Sequence, residues 1–434
     1  MSQRLTAQAE LRLAKRMAGL GTEAAFEVLA HARALEAQGR DVVHLEIGEP
    51  DFETPANVVE TGIDAIRKGW THYTPSAGLS ELRQTIAEEV SRTRGVKCSA
   101  DEVVVVPGGR PTIFFAFMSL VEDGDEVIYP NPGFPIYESL CSFVGAKAVP
   151  LPLREEKDFR LDPNELADLI SDRTKLIVLN SPHNPTGSVL EAQDVRDIAT
   201  AIGDRDIMVL SDEIYSRLIF EGEHFSLMSI EGMKDRTIML DGFSKTYAMT
   251  GWRLGYGVMR SDLANLFARL MTNVNSCSAS FTQIAAIEAL RGDQSSVENM
   301  CREFKRRRDR VVERINRIPG FHCGVPKGAF YVFPSIRETG WRSKKLADVL
   351  LEQAGVACLA GTAFGAFGEG YLRFSIANSM ENLEKALDRV ESWAKKNLVQ
   401  YPPLTSLNGL NKQLLAHDGV CRPFAAKSKE RHSL

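Results

Sequence analysis

Short apolar runs alternate with helical patterns over most of the chain. Runs of Val, Ile and Leu separated by helices are typical of a parallel β-sheet that is covered on both faces. Ligands bind such sheets just beyond the carboxyl ends of the strands. The pattern therefore predicts an α/β fold. Its strand candidates are 42–47, 103–107, 126–130, 175–180, 207–212, 237–242 and 254–259.

The helical pattern begins early and changes character near residue 295. An early helix over 22–39 places Phe26 and Leu35 on one face, with Thr22 as a candidate N-cap. A long charged helix begins after residue 295, and shorter strands and helices follow, which predicts a second, smaller α+β domain. The predicted units are an N-terminal segment that contributes to the small domain (1–50), a large domain (51–294), a small domain (295–397) and a tail without an assigned function (398–434).

Composition narrows the class of protein. The chain has 434 residues, 44% of them hydrophobic and 25% charged, with a formal net charge of −5. This balance predicts a globular protein without a nucleic-acid partner. The chain has neither an apolar run of about 18 residues nor a signal-peptide core, so we expect no membrane association. The seven scattered cysteines lack a C-x-x-C spacing and predict a cytoplasmic protein without a metal site.

Lys245 lies in the segment DGFSKTYAMTGWRLGY (241–256), just beyond the apolar run 237–242. Most lysines are solvated and carry no chemistry. A lysine at the end of a buried strand differs, because apolar walls favour the neutral amine, which attacks carbonyl groups to form Schiff bases. Lys245 is therefore a candidate nucleophile that requires a carbonyl partner.

A small-residue turn, PGGRPT, follows the strand candidate 103–107. Around Gly109 and Arg110 it opens a helix, whose exposed N–H groups suit a phosphate, although many such turns are only turns. The chain contains neither a P-loop motif nor a strand that leads into G-x-G-x-x-G, which disfavours a nucleotide-binding dehydrogenase.

Two further strand ends carry polar groups with two possible interpretations each. Asn184 lies between prolines in SPHNPTG, either in a plain turn or as an amide presented at a set angle. Asp212 is either a helix cap or a carboxylate held against a cationic ring nitrogen, with Tyr215 on the same side. The guanidinium of Arg253 carries a positive charge and can donate two hydrogen bonds to a phosphate. Arg373, within a strand, is either paired or a clamp for a substrate carboxylate.

Together these groups describe one ligand. It has an aldehyde for Lys245 and a basic ring nitrogen for Asp212. It has a phosphate for Gly109, Arg110 and Arg253. Pyridoxal 5′-phosphate has all three, and an acidic partner makes its pyridinium an electron sink.

At this point the sequence resembles the class I/II aminotransferases of the fold type I pyridoxal-phosphate-dependent enzymes, in particular the bacterial-type aspartate aminotransferases. The resemblance runs from about residue 20 to 397 and implies a large domain with a mostly parallel seven-stranded sheet. The matching motifs are LEIGEPDFETP, HYTPSAGLSELR, PNPGFPIYESL, NSPHNPTG, SDEIY, GFSKTYAMTGWRLGY, PKGAFYVFP and YLRFSIANS.

The resemblance implies a role for each matching cofactor residue. Lys245 would form the Schiff base and move the proton between Cα and the cofactor. Asp212 would pair with the pyridinium, and Asn184 and Tyr215 would hydrogen-bond the ring oxygen. Phe134 would stack on the ring, where many relatives have Trp or Tyr.

The resemblance also implies a shared active site. Gly109, Arg110 and Arg253 would hold the phosphate, and Tyr73 would reach the phosphate of the neighbouring subunit in a homodimer. Arg373 would bind the substrate α-carboxylate. The other substrate-binding residues would be Gly48, Phe134 and Asn184.

The chain departs from the family pattern near the lysine and the glycine turn. Several relatives carry a hydroxyl three residues before the lysine, where this chain has Gly242, with Ser244 adjacent to the lysine instead. Relatives often read NGAK where this chain reads PGGR. Both changes are compatible with phosphate binding, and Arg110 could alter recognition of the substrate side chain.

The predicted reaction is transamination by a ping-pong mechanism through an aldimine of Lys245, from an L-amino acid to a 2-oxo acid such as 2-oxoglutarate or pyruvate. One alternative is a lyase or decarboxylase reaction on the same scaffold, because fold does not settle function. Another is a non-catalytic regulatory protein that binds the cofactor. The sequence does not identify the amino donor.

Overall fold

The computed structural model describes residues 12–398 as an α/β protein built on a seven-stranded sheet. The strands are β1 (Val43–His44), β2 (Val103–Val106), β3 (Glu126–Asn131), β4 (Lys147–Pro152), β5 (Thr174–Asn180), β6 (Met208–Asp212), β7 (Thr237–Gly242), β8 (Gly255–Val258), β9 (Tyr331–Val332), β10 (Val356–Ala357), β11 (Leu359–Ala360) and β12 (Leu372–Ser375).

Helices flank these strands for most of the described chain. They are α1 (Ala24–Glu36), α2 (Ala56–Arg67), α3 (Ser80–Arg94), α4 (Arg110–Leu120), α5 (Ile136–Val144), α6 (Pro163–Leu169), α7 (Ala192–Ile202), α8 (Phe243–Thr246), α9 (Ser261–Val274), α10 (Ser280–Arg291), α11 (Ser295–Ile315), α12 (Ser343–Val349) and α13 (Met380–Asn397). None of these helices combines the length and the apolar character needed to cross a membrane.

The large sheet has the strand order β2-β8-β7-β6-β5-β3-β4. Strand β8 runs antiparallel to both of its neighbours, and the other pairs are parallel. The predicted α/β class and the mostly parallel seven-stranded sheet are therefore confirmed.

Alternate residues of the central strands pack into different hydrophobic clusters. In β5, Leu176 and Val178 join the cluster under α4 and α9, whereas Ile177 and Leu179 join the cluster under α7. Successive side chains of a strand point to opposite faces, so both faces of the sheet are covered by helices. This double burial is why the strands read as continuous apolar runs in the sequence.

The sequence pattern did not identify β4, which the structure places at one edge of the sheet beside β3. In its segment, KAVPLP, only Val149 and Leu151 are buried, and Pro150 and Pro152 are partly exposed. Proline lacks the N–H that a central strand donates, so within sheets it is confined mainly to edges. An edge strand can therefore carry a sequence that does not resemble a buried strand.

The remaining strands form two small sheets. Strand β12 lies between β11 and β9 with antiparallel pairing, and β1 pairs in parallel with β10. The pairing of Val43 with Val356 joins the N-terminal part of the chain to its C-terminal part. Helices α11 and α13 bury one side each in the cluster around Phe304 and Phe330.

Helix α1 differs from its prediction in orientation and in its cap. Leu35 is buried, but Phe26 is 59% exposed, because the face that packs against β10 and the π-helical turn after α12 carries Ala32 and Leu35. The N-cap residue is Glu23, whose side chain makes no cap hydrogen bond, and the Thr22 hydroxyl donates to Glu27. The predicted face was therefore wrong for Phe26, and the predicted cap was wrong.

Candidate active site

A cavity of about 390 Å³ lies at the carboxyl edge of the large sheet. It is lined by ten of the eleven predicted site residues, namely Gly48, Gly109, Arg110, Phe134, Asn184, Asp212, Tyr215, Lys245, Arg253 and Arg373. Tyr73, the eleventh, lies outside this cavity with 89% of its surface exposed.

Strand register explains why residues distant in sequence meet here. Parallel strands end at one edge, and Asn180 of β5 pairs with Asp212 of β6 at that edge. Strand β8 is antiparallel and therefore starts where its neighbours end, so that Gly255 pairs with both Val106 and Gly242. This reversal brings Arg253, which lies two residues before β8, to the same edge as Asp212.

Lys245 lies in the short helix α8, directly after β7. Its ammonium group donates to the backbone oxygen of Gly48 and lies 5.7 Å from the centre of the Phe330 ring. Burial of the amine lowers the pKa of Lys245 to about 8, although the nearby Glu49 opposes the shift. About a tenth of the amine is therefore neutral at pH 7, and the neutral form is the one that acts as a nucleophile or general base.

Asp212 is buried at the carboxyl end of β6. Its carboxylate accepts a hydrogen bond from the Tyr137 hydroxyl at 2.7 Å and another from the Ile214 N–H at 3.2 Å. Burial raises the pKa of Asp212 to about 6, although the hydrogen bond from Tyr137 opposes the shift. A buried carboxylate without a cation to pair with is costly, so the site favours a positively charged ligand group here.

The turn before α4 is shaped for a close approach of backbone and anion. Gly108 has φ of +80°, and a Cβ atom there would collide with the Arg253 guanidinium. A Cβ on Gly255 would come within 2.7 Å of the Gly109 nitrogen. Helix α4 begins with Arg110, so its first N–H groups and the Arg253 charge lie together at one end of the cavity, which suits a phosphate.

Gly242 has no room for the side chain that several relatives carry there. A Cβ atom would lie 2.9 Å from the Gly255 Cα, across the β7–β8 pairing. Ser244, next to the lysine, lines the cavity, as does Thr250.

Arg373 in β12 faces the cavity from the other side. It is 4% exposed, donates to Asn184 Oδ1 at 3.1 Å and lies 4.4 Å from the Tyr331 ring centre. Its Nε has no hydrogen-bond partner among the described residues. A buried guanidinium with donor capacity left over is suited to a carboxylate.

Tyr215 and Asn184 lie between these groups. The Tyr215 hydroxyl shares a hydrogen bond of 2.8 Å with the Tyr331 hydroxyl, and burial raises the pKa of Tyr215 well above its usual value. The Asn184 N–H donates to Asn180 Oδ1 at 2.9 Å, which fixes the turn that presents its amide. Tyr215 therefore remains a neutral hydrogen-bond donor or acceptor.

The structure adds site residues that the sequence analysis missed. Tyr137 and Tyr331 hold Asp212 and Tyr215 through their hydroxyls. Both lie in motifs that carry the family resemblance, PNPGFPIYESL and PKGAFYVFP, and a search of those motifs for buried hydroxyls could have found them. Glu23 gave no signal in the sequence, and its carboxylate pairs with Arg110 at 2.5 Å.

A buried ionic cluster supports the strands that carry Asp212 and Lys245. Arg94, at the end of α3, donates to Glu213 at 3.0 Å and to Asp241 at 2.6 Å. Glu213 directly follows Asp212, and Asp241 lies in β7. One arginine therefore joins the carboxyl ends of β6 and β7. Its loss would leave the buried Asp241 without an ion-pair partner among the described residues, whereas Glu213 would keep its contact with His224 at 2.7 Å.

The side chains around the cavity match the functional groups of pyridoxal 5′-phosphate. Lys245 supplies a partly neutral amine, Asp212 a buried carboxylate, and the start of α4 with Arg253 an anion cradle. Among residues 12–398, no group of three or more His, Cys, Asp or Glu side chains is arranged to hold a metal ion.

Comparisons with known proteins agree with this arrangement. The family model "Aminotransferase class I and II" matches residues 40–390. An aspartate aminotransferase of Pyrococcus horikoshii is 46% identical over 354 residues, which cover 81% of this chain and 90% of that protein. Aromatic-amino-acid aminotransferase 2 of Thermococcus litoralis is 39% identical, over 83% of this chain and 94% of that protein.

A solved structure shows the same fold. The aspartate aminotransferase of Thermus thermophilus with maleate superposes with a TM-score of 0.85 at 35% identity. The superposition covers 88% of this chain and 100% of that one.

Proposed function

We propose, because this chain belongs to the class I and II aminotransferase family, that the cavity at the carboxyl edge of its sheet is a transaminase active site operated by Lys245. The chain is a pyridoxal 5′-phosphate-dependent aminotransferase, which acts on amino acids and 2-oxo acids. The observation that carries the proposal for the site is that Lys245, Asp212 and Arg373 face one cavity. When bound, the cofactor supplies an aldehyde carbon and an electron-accepting ring.

Lys245 is the group that moves the proton. Its amine, with a pKa lowered to about 8, takes the proton from the substrate Cα and returns it on the opposite side of the C–N bond. The first substrate would leave as a 2-oxo acid, the bound cofactor would carry its amino group, and a second 2-oxo acid would accept that group in the reverse direction. Proton transfer in both directions requires a base whose pKa lies near the working pH.

Asp212 would hold a proton on the ring nitrogen when the cofactor is bound. Tyr137 fixes its carboxylate at 2.7 Å, so that the negative charge is directed at one position. Asn184 and Tyr215 would hydrogen-bond the ring oxygen, and Phe134 would pack on the ring face. Each group thereby orients the reacting carbon relative to Lys245.

When the cofactor is bound, Gly109, Ser244, Arg253 and the backbone N–H of Arg110 would hold its phosphate at the start of α4. The Arg110 side chain is engaged elsewhere, with Glu23. This division keeps main-chain donors on the phosphate and leaves the Arg110 guanidinium at the substrate side of the cavity.

Arg373 binds the substrate α-carboxylate, and Gly48 lines the same position. In an Arg373→Gln variant we expect kcat/KM for amino acids to fall about 10²-fold to 10³-fold, because a charge-assisted bidentate contact is lost. The measurement is half-reaction kinetics followed by the cofactor absorbance. For a primary amine that lacks a carboxylate, kcat/KM should fall far less in this variant.

Arg337→Gln is the matched control for Arg373. Arg337 belongs to the same part of the chain and lies over the Tyr371 ring at 4.7 Å, outside the cavity. Equal losses in the two variants, or equal losses for amino acids and plain amines, would contradict a carboxylate site at Arg373.

The exposed Tyr73 supports a homodimer with shared active sites. Tyr73 is 89% exposed and lies outside the cavity of its own subunit, so its side chain is accessible to a second copy of the chain. We propose that Tyr73 reaches the phosphate of the partner subunit. Its Tyr73→Ala variant should bind pyridoxal phosphate about tenfold more weakly, as expected when one hydrogen bond to a charged group is lost.

Subunit mixing tests this arrangement. The Lys245→Ala subunit keeps Tyr73, and the Tyr73→Ala subunit keeps Lys245. When equal amounts of the two variants are refolded together, half of the Lys245-containing subunits pair with a subunit that has Tyr73, so tight cofactor binding should return at half of the Lys245-containing sites. The double variant Tyr73→Ala/Lys245→Ala should restore none. Rescue by both partners, or by neither, would mean that Tyr73 acts within its own subunit or outside the site.

We further propose that residues 51–294 form the large cofactor-binding domain, with a small domain formed from 295–397 and the N-terminal segment 1–50. The small sheets and β1–β10 pairing support this division. Six free cysteines among the described residues support a cytoplasmic location.

The test of the proposed function is the visible absorption spectrum of the purified protein with single amino acids added. A cofactor band that bleaches with one amino acid and returns with 2-oxoglutarate supports transamination and identifies the donor. A band that bleaches without return for any oxo acid would favour a lyase or a decarboxylase.

A further inference from the structure

Glu23 reaches into the substrate side of the cavity from the start of α1. Its carboxylate lies 2.5 Å from the Arg110 guanidinium, and the two side chains are 22% and 50% exposed. The Arg110 guanidinium in turn lies 5.4 Å from the centre of the Phe134 ring. The Glu23–Arg110 ion pair is therefore part of the cavity wall, beside the ring that is proposed to pack on the cofactor.

The Glu23 carboxylate does not cap the helix at whose start it lies. Glu23 is the N-cap residue of α1, but its side chain makes no cap hydrogen bond. At an N-cap position the side-chain oxygens of Ser, Thr, Asp and Asn accept an N–H of the first turn. Here the Glu23 side chain makes no contact with those donors. It points toward the cavity, where its carboxylate pairs with the Arg110 guanidinium.

Glu23 also faces Arg373, because the two residues line a second, smaller cavity beside Phe134. Glu23 therefore pairs with Arg110 and also borders a cavity that Arg373 lines, the arginine proposed for the α-carboxylate. The neighbouring lining is apolar and includes Phe26, whose ring is 59% exposed, and Ile113.

We propose that Glu23 is a specificity-determining residue that neutralises Arg110 and gives the enzyme a preference for amino acids with uncharged, apolar or aromatic side chains. This inference rests on the proposed active site. An uncharged side chain enters with the ion pair intact and contacts the apolar wall. A side chain with a distal carboxylate meets Glu23 as a like charge and must displace it to reach Arg110.

The charges determine the direction of the effect. Like charges placed together at a binding site disfavour the wrong partner, so discrimination here comes from repulsion as well as attraction. In a Glu23→Gln variant the repulsion disappears and Arg110 is free to pair with the ligand. The same variant leaves an unpaired guanidinium beside an apolar substrate, which weakens the binding of that substrate.

The test compares the holoenzyme with its Glu23→Gln variant in two measurements. The first is the ratio of kcat/KM for glutamate to that for phenylalanine, which should rise about tenfold, corresponding to one ion pair gained and one repulsion removed. The second is the dissociation constant of maleate, an unreactive dicarboxylate, which should fall about tenfold. Binding is followed by the cofactor absorbance and by calorimetry.

Glu27→Gln is the control, because Glu27 lies one turn along α1, is exposed and is outside the cavity. It should change neither quantity. If Glu23→Gln shifts neither the ratio nor the maleate constant beyond Glu27→Gln, the inference is wrong while the active site stands. If the unmodified holoenzyme transfers no amino group from any amino acid, the proposed function itself is wrong.

Discussion

Replacement of Lys245 by alanine is expected to lower the rate of amino transfer by at least about 10⁴-fold, since proton transfer by a positioned base contributes up to that factor and the covalent attachment is also lost. Single-turnover kinetics of the cofactor-loaded protein measure the effect. Lys175→Ala, at an exposed position of β5, is the matched control and should retain full activity.

A structural role for Lys245 would produce a different result. If the amine is the base, small primary amines added to Lys245→Ala should restore part of the rate, in proportion to their neutral fraction. An inactive variant that no added amine rescues, with an unfolded circular dichroism spectrum, would indicate that Lys245 acts through the fold instead.

The pKa of Lys245 also gives a prediction for the cofactor-free protein. Because burial lowers this pKa to about 8, the neutral amine increases about tenfold per pH unit below pH 8 and levels off above it. The rate of reaction with added pyridoxal phosphate should follow that curve. A rate that keeps rising to pH 10 would show an amine in contact with water.

The strand ends could be predicted from the sequence, because burial on both faces leaves continuous apolar runs that stop where function begins. Lys245, Asp212 and Asn184 all follow such runs, and the structure places them around one cavity. Arg253 was predictable from its motif alone, because its position at the site depends on the antiparallel direction of β8. Direction is not encoded in the periodicity of a short run.

Other features depend on packing that a single sequence does not reveal. Strand β4 lies at an edge and carries prolines, so its pattern differs from that of a buried strand. Tyr137 looks like an ordinary core aromatic until its hydroxyl is seen 2.7 Å from Asp212. Glu23 belongs to a helix start, where the usual role of an acidic residue is capping, and only the position of α1 brings it to Arg110.

Asp212 is the residue at which we expect the effects of a substitution on activity and on stability to have opposite signs. In the cofactor-free protein its pKa is raised by burial from 3.8 to about 6, so the folded state favours the protonated carboxyl. A raised folded pKa gives stability that is present below the unfolded pKa and is lost as the pH rises through the folded pKa, here between about pH 4 and pH 6. Above that window the buried charge costs on the order of 2–3 kcal/mol.

Asp212→Asn removes this charge while keeping the shape of the side chain. We therefore expect the cofactor-free variant to unfold at a higher temperature than the unmodified protein at pH 7.5, with little difference at pH 4.5. Amino transfer should nevertheless fall about 10³-fold, because a neutral amide cannot hold the proton on the ring nitrogen, an electrostatic contribution of about 3–4 kcal/mol.

Thermal denaturation at the two pH values and single-turnover kinetics measure both effects of Asp212→Asn. Asp168→Asn, at an exposed position of α6, is the control and should change neither. A loss of stability at pH 7.5 would mean that the carboxylate of Asp212 is favourable in the empty site, and full activity would remove it from the mechanism. Gain of stability together with loss of activity is the result expected of a charge that is placed for the cofactor and is costly without it.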